Sequence, residues 1–202
     1  VGGSGNTTNN QANVTTVDLG SIYYEGETVF TGSNMYPGKI AVQEFKIGPQ
    51  GDTGVGIFEI DLHATLPEEF GSDVKIRLYK TTDPENDYME VVDGVLTQTG
   101  NQFYKQDIIN IKGNPELIYE TISLIDSSNI ILDIQEFNVE TLNDTTYYLV
   151  YEYLNNGNQD VQQGLRFTGK VTVKLIRDIP FSKKLIGRLY NIERWLYGRK
   201  IN

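Results

Sequence analysis

The chain contains no cysteine, which excludes disulfides, thiolate metal sites and a cysteine nucleophile. It has one histidine, His63, so neither a pair of zinc-binding histidines nor an HExxH protease motif is available. A Ser-His-Asp set would have to use that histidine, and no nucleophile-elbow motif accompanies it. No apolar run reaches the length of about 18 residues needed for a membrane-spanning helix. The acidic groups Glu68/Glu69 and Asp83/Glu85/Asp87 lack the DxDxDG spacing of a calcium loop and read as solvated turns. The sequence therefore offers no catalytic residue, no metal ligand and no cofactor site, and the expectation is a protein that is not an enzyme.

With 202 residues there is room for one sizeable core plus short appendages. Twenty Gly and thirteen Tyr, with frequent Val, Ile and Thr, favour β structure. The chain opens on Val1 rather than Met, which suggests an exported protein whose leader has been removed. The net charge is −10, but it is divided unevenly: residues 177–202 carry +5 and the remainder −15. An acidic body of that size repels nucleic acid, so no nucleic-acid partner is expected.

Alternation with a period of two runs through the body. In GIFEIDLHATL, Phe58, Ile60, Leu62 and Ala64 alternate with Glu59, Asp61 and His63, as in a strand with one wet face. Val74, Ile76 and Leu78 repeat this, as do Val171, Val173 and Leu175 near the end. Between Asp87 and Gln106 the signal weakens to YMEVV and GVLTQ, broken by Gly94 and Gly100. Roughly nine to eleven strands and no helical crossover predict an antiparallel two-sheet β-sandwich of jelly-roll type over 14–176.

Two appendages flank it. Residues 1–13 (VGGSGNTTNNQAN) are polar and Gly/Asn-rich and cannot bury a face of their own. They form an extended N-terminal arm that leads into a strand-like stretch at Val14 to Leu19. At the other end, 177–202 predict a short, basic amphipathic C-terminal helix: Leu185, Leu189, Ile192 and Leu196 fall at four-three-four spacing, with Trp195 beside them. Packing on its own or a neighbouring sandwich ranks first for this helix, contact with a membrane interface second, and nucleic acid last. Asn6, Asn13 and Asn143 each head an N-x-T sequon, an acceptor for sugar in a glycosylating secretory pathway.

Two stretches carry a resemblance. SNMYPGKIAVQEFKI contains a Pro37-Gly38 turn opening a strand, and YYLVYEYLNNGNQDVQQGLRFTGKVTVKLI combines an Asn-rich loop, Gln163-Gly164 and the Phe167, Gly169, Lys170 pattern before a closing strand. Together these resemble the secreted TasA/camelysin family, exported by the SipW-dependent route and related to archaeal bundling pili. The resemblance implies an extracellular or cell-surface jelly-roll subunit of a biofilm-matrix fibre, a homopolymer in which each subunit donates its N-terminal strand to the next. The chain's main partner is then itself, with other matrix or surface components beside it. On that reading Val1, Gly5, Thr8, Ala12 and Val14 belong to the donor strand. Leu185, Leu189, Ile192, Trp195 and Leu196 belong to a second subunit contact. The competing expectation is a monomeric adhesin or carbohydrate-binding module using Tyr23, Tyr24, Tyr147, Tyr148 and Tyr151 as an exposed aromatic platform.

Overall fold

A computed structural model describes residues 15–26, 29–31, 36–65, 73–99, 102–121, 129–156 and 168–179. The fold is all-β, with no helix among the described residues. The twelve strands among the described residues are β1 (Thr15–Asp18), β2 (Ile22–Gly26), β3 (Val29–Thr31), β4 (Ile40–Pro49), β5 (Val55–Thr65), β6 (Val74–Thr81), β7 (Tyr88–Thr99), β8 (Gln102–Lys112), β9 (Glu116–Thr121), β10 (Asn129–Asn138), β11 (Thr145–Tyr153) and β12 (Thr168–Ile179). They form a six-stranded sheet ordered β1-β2-β4-β11-β6-β9, a four-stranded sheet ordered β10-β5-β12-β3, and the hairpin β7-β8, with every pairing antiparallel.

The period-two pattern decides what goes inside. Phe58, Ile60, Leu62 and Ala64 from β5 and Val171 and Val173 from β12 share one buried cluster with Phe45, Ile47, Ile76, Leu78, Leu149 and Tyr151 of the larger sheet. This common core makes the arrangement sandwich-like. Phe45 and Tyr147 stack with ring centroids 5.1 Å apart, and Tyr24 extends the stack at 5.5 Å from Phe45. At Gly169, opposite Ala64 in the register, an added Cβ would lie 3.1 Å from Tyr151 Oη. The absence of a side chain there lets β12 close onto the tyrosine.

The stretch that reads as broken strands is one long hairpin. Gly94 does not end it; it lies in a bulge between Val92 and Val95, where its amide donates to Asp107 Oδ1 at 3.1 Å. Met89, Val91 and Ile109 of this hairpin cover Ile40, Tyr79, Tyr148 and Val150, a second apolar cluster on the outer face of the six-stranded sheet. The middle of that sheet, around β11, is thus buried on both faces.

Asp107 fastens the hairpin in place. Its side chain is fully buried and accepts from Tyr36 Oη (3.0 Å), the Ile40 amide (3.2 Å), the Gly94 amide and Lys39 Nζ (2.9 Å). Burial alone would raise the carboxyl's pKa, but donation from Lys39, the two amides and Tyr36 outweighs it and holds the group at about 2. The Pro37-Gly38 turn completes the fastening, since Gly38 O accepts from the Asp107 amide and Gly38 N donates to Tyr153 O. Gly38 has φ +89, and a Cβ would meet Lys105 O at 2.6 Å.

Candidate assembly interface

The sandwich has two long seams between its sheets, and they differ chemically. At one, beside β9 and β10, a cavity of about 330 Å³ has a mixed lining, with Lys80, Asp87, Glu116 and Gln135 beside Phe58 and Leu142. Its best-placed carboxylate is already engaged: Asp87 accepts from Thr81 Oγ1 (3.1 Å) and the Asn114 amide (2.8 Å). The acidic turn before it is similarly occupied, with Asn86 Nδ2 donating to Asp83. Among the described residues no group of three His, Asp or Glu gathers into a metal cluster. His63 is exposed on the wet face of β5, its Nδ1 2.9 Å from Asn129 Oδ1.

The other seam lies beside β1, β2 and β12. An apolar cavity of about 110 Å³ opens there between Val17, Leu19 and Tyr24 of the larger sheet and Lys170 to Val173 of the smaller. The adjoining strand edge is incomplete. β12 pairs with β5 from Thr168 to Ile179, but on its other side β3 covers only Thr168 to Lys170. From Val171 onward, no strand pairs that side among the described residues, so a row of backbone donors and acceptors stands beside an apolar cleft. The bulge between Leu175 and Arg177 and the flanking Lys170 and Lys174 are devices that discourage indiscriminate edge pairing.

The strand-like stretch expected at Val14 to Leu19 does form, as Thr15–Asp18, but it pairs with β2 of its own chain. The hairpin is closed locally by Leu19 N donating to Ile22 O and Gly20 N to Asp18 Oδ1, with Gly20 at φ +99. Residues 15–18 are thus not free for a neighbour, and the arm available to a partner ends at Val14. Of the donor residues read from the sequence, Val1, Gly5, Thr8, Ala12 and Val14 all lie outside the described residues, as do Leu185, Leu189, Ile192, Trp195 and Leu196 of the C-terminal helix. β12 itself continues past Ile176, placing Arg177 and Asp178 opposite Ile57 and Gly56 rather than in a tail. Asn143 is exposed in the connection between β10 and β11; Asn6 and Asn13 lie outside the described residues.

The aromatic platform is corrected by the structure. Tyr24, Tyr147, Tyr148 and Tyr151 are buried in the two clusters, and Tyr23 is half-buried with its hydroxyl donating to Asp144 Oδ1 at 2.9 Å. In Thr145–Tyr153 both faces are covered, so adjacent tyrosines point into two different cores instead of one surface.

Comparison with protein-family models, curated proteins and solved structures gives no match.

Proposed function

We propose that the chain is the structural subunit of an extracellular fibre, polymerising by donation of residues 1–14 to the open edge of β12 in the neighbouring subunit. The observation that carries this reading is that edge: nine residues, Val171 to Ile179, without a second strand among the described residues, next to an apolar cleft. Pairing there would satisfy backbone groups that otherwise rely on water, while alternate side chains of the incoming strand would fill the cleft. At about 3.3 Å per residue, a fourteen-residue arm is long enough to span the edge and cross to it from another subunit.

A jelly roll is the fold class this reading uses, and the strand orders favour it. If β3, β4, β5, β6, β9, β10, β11 and β12 are counted in chain order from one to eight, the smaller sheet runs 1-8-3-6 and the larger 2-7-4-5, with β1-β2 added at an edge and β7-β8 inserted between the fourth and fifth strands. Secretion, the biofilm matrix and self-association come from the resemblance to the TasA/camelysin family. The buried tyrosines remove the feature on which the adhesin alternative stood.

The test uses electron microscopy of three proteins: the full chain, a chain lacking Val1 to Asn13, and a chain carrying Leu19→Glu in the cleft. Regular filaments are expected only from the first. A mixture of the other two should give capped dimers, because one retains the acceptor and the other the donor. Filaments from the arm-deleted chain, or monodisperse full-length protein across salt and pH, would reject the proposal.

A further inference from the structure

The outer face of the four-stranded sheet has no covering element among the described residues, unlike its counterpart across the sandwich. Its central strand presents Glu59 and Asp61 there, because their neighbours Phe58, Ile60 and Leu62 point into the core. Opposite them in the register on β10 stand Ile134 and Ile131, both about half exposed. Side by side, the two isoleucines give this face an apolar patch that a docked segment would remove from water.

Asp61 adds a polar requirement. Its side chain is only 3 % exposed and forms an ion pair with Lys174 through Oδ2, with Glu59 3.9 Å from the same ammonium. Its other oxygen, Oδ1, is buried without a hydrogen-bond partner. The proximity of the two carboxyls holds the pKa of Glu59 above its usual range, first through hydrogen bonding with Asp61 and then through burial, with Lys174 opposing. Two neighbouring carboxyls share one ammonium here, so the face carries an excess of negative charge that a cationic segment laid over it would offset.

We infer that this face is the docking surface of the chain's own C-terminal segment, Pro180 to Asn202. A base of that segment would offset the charge of the Glu59–Asp61 pair, and its Leu/Ile stripe would cover Ile131 and Ile134. The choice of occupant follows from connectivity and charge. β12 ends at Ile179 in this same sheet, next to half-exposed Ile176, so the segment starts at the border of the face it is to cover. It carries six bases and one acid, against eleven bases and twenty-six acids in the rest of the chain. Read as a helix of about 18 residues it would be about 27 Å long, comparable to the strands beneath it. The inference does not depend on fibre formation.

Two built-in conveniences make the test direct: the chain has one tryptophan, Trp195, and no cysteine. On monomer isolated by gel filtration, Trp195 is expected to emit to the blue of the free amide and to resist acrylamide. Combining Ile131→Asp with Ile134→Asp should raise quenching to that of the free amide with an unchanged circular dichroism spectrum, whereas Ile108→Asp on the exposed face of the hairpin should leave it unaltered. Independently, Ile134→Cys paired with Leu189→Cys or Ile192→Cys should close a disulfide within one chain, and Ile108→Cys with the same partners should not. Freely quenched Trp195 in the unaltered protein overturns the inference, as does protection that survives the aspartate pair. Disulfides formed only between chains also overturn it, by assigning the face to a second copy.

Discussion

The two sheets share one core but treat their outer faces in opposite ways. The six-stranded sheet carries Ile40, Tyr79, Tyr148 and Val150 outward, and the hairpin β7-β8 covers them. The four-stranded sheet turns an acid pair and two half-exposed isoleucines outward, with nothing over them among the described residues. The difference separates a face closed by an inserted hairpin from a face that no described element closes. A mainly apolar face gains stability from burial as such, whereas a mixed face gains it only from a segment that matches both its charge and its apolar positions.

Substitutions should divide along the same line. The largest effect is expected in the shared core, where Leu149→Ala, at a fully buried position in the middle of the larger sheet, should cost about 4 kcal/mol in urea unfolding. Asp107→Ala attacks the hairpin's fastening: it removes the acceptor for four donors and should cost about 3 kcal/mol. Amide exchange should then accelerate in Tyr88–Lys112 before it does in β5, and equal acceleration in both would show that the hairpin is not a separate layer.

The same carboxylate sets a pH dependence. Its pKa falls from the ordinary carboxylate value of 3.8 to about 2 on folding. The resulting stabilisation, about 2 kcal/mol, is complete above the unfolded value and is lost as pH falls through about 2. Acid unfolding followed by near-ultraviolet circular dichroism should therefore move to higher pH in Asp107→Asn. Gly38→Ala combines a positive φ with a close approach to Lys105 O and should cost about 1 kcal/mol or more. Ile131→Ala, on the face assigned to the C-terminal segment, should cost about 1 kcal/mol in the full chain, less than the core substitutions because the residue is half exposed; no loss at all would count against packing of that face in the monomer.

Much of this was legible in the residues. Strict alternation in β5 and β12 identified their inward side chains, because a strand places alternate residues on opposite faces whatever surrounds it. The Pro-Gly dipeptide at 37–38 was recognisable as a turn, though not as the point where the hairpin is tied down. The hairpin was obscured because Gly94 reads as a breaker, and only its alignment with Asp107, thirteen residues later, turns it into a bulge. The tyrosines were misread for a related reason. A strand buried on both faces loses its alternation, so YYLVYEY carries no sign of which side is wet.

By itself the sequence determined the β class, the antiparallel habit, most of the inward positions and the lack of cysteine or paired-histidine chemistry, since these depend on residue type and spacing of two. Tertiary structure decided what depends on residues far apart in the chain. Among the described residues it paired β12 with β5 and left the rest of its other edge open, covered the outer face of one sheet and not that of the other, and buried Asp61 against Lys174. Those outcomes rest on which strands become neighbours, and local patterns, being periodic, are compatible with many neighbours.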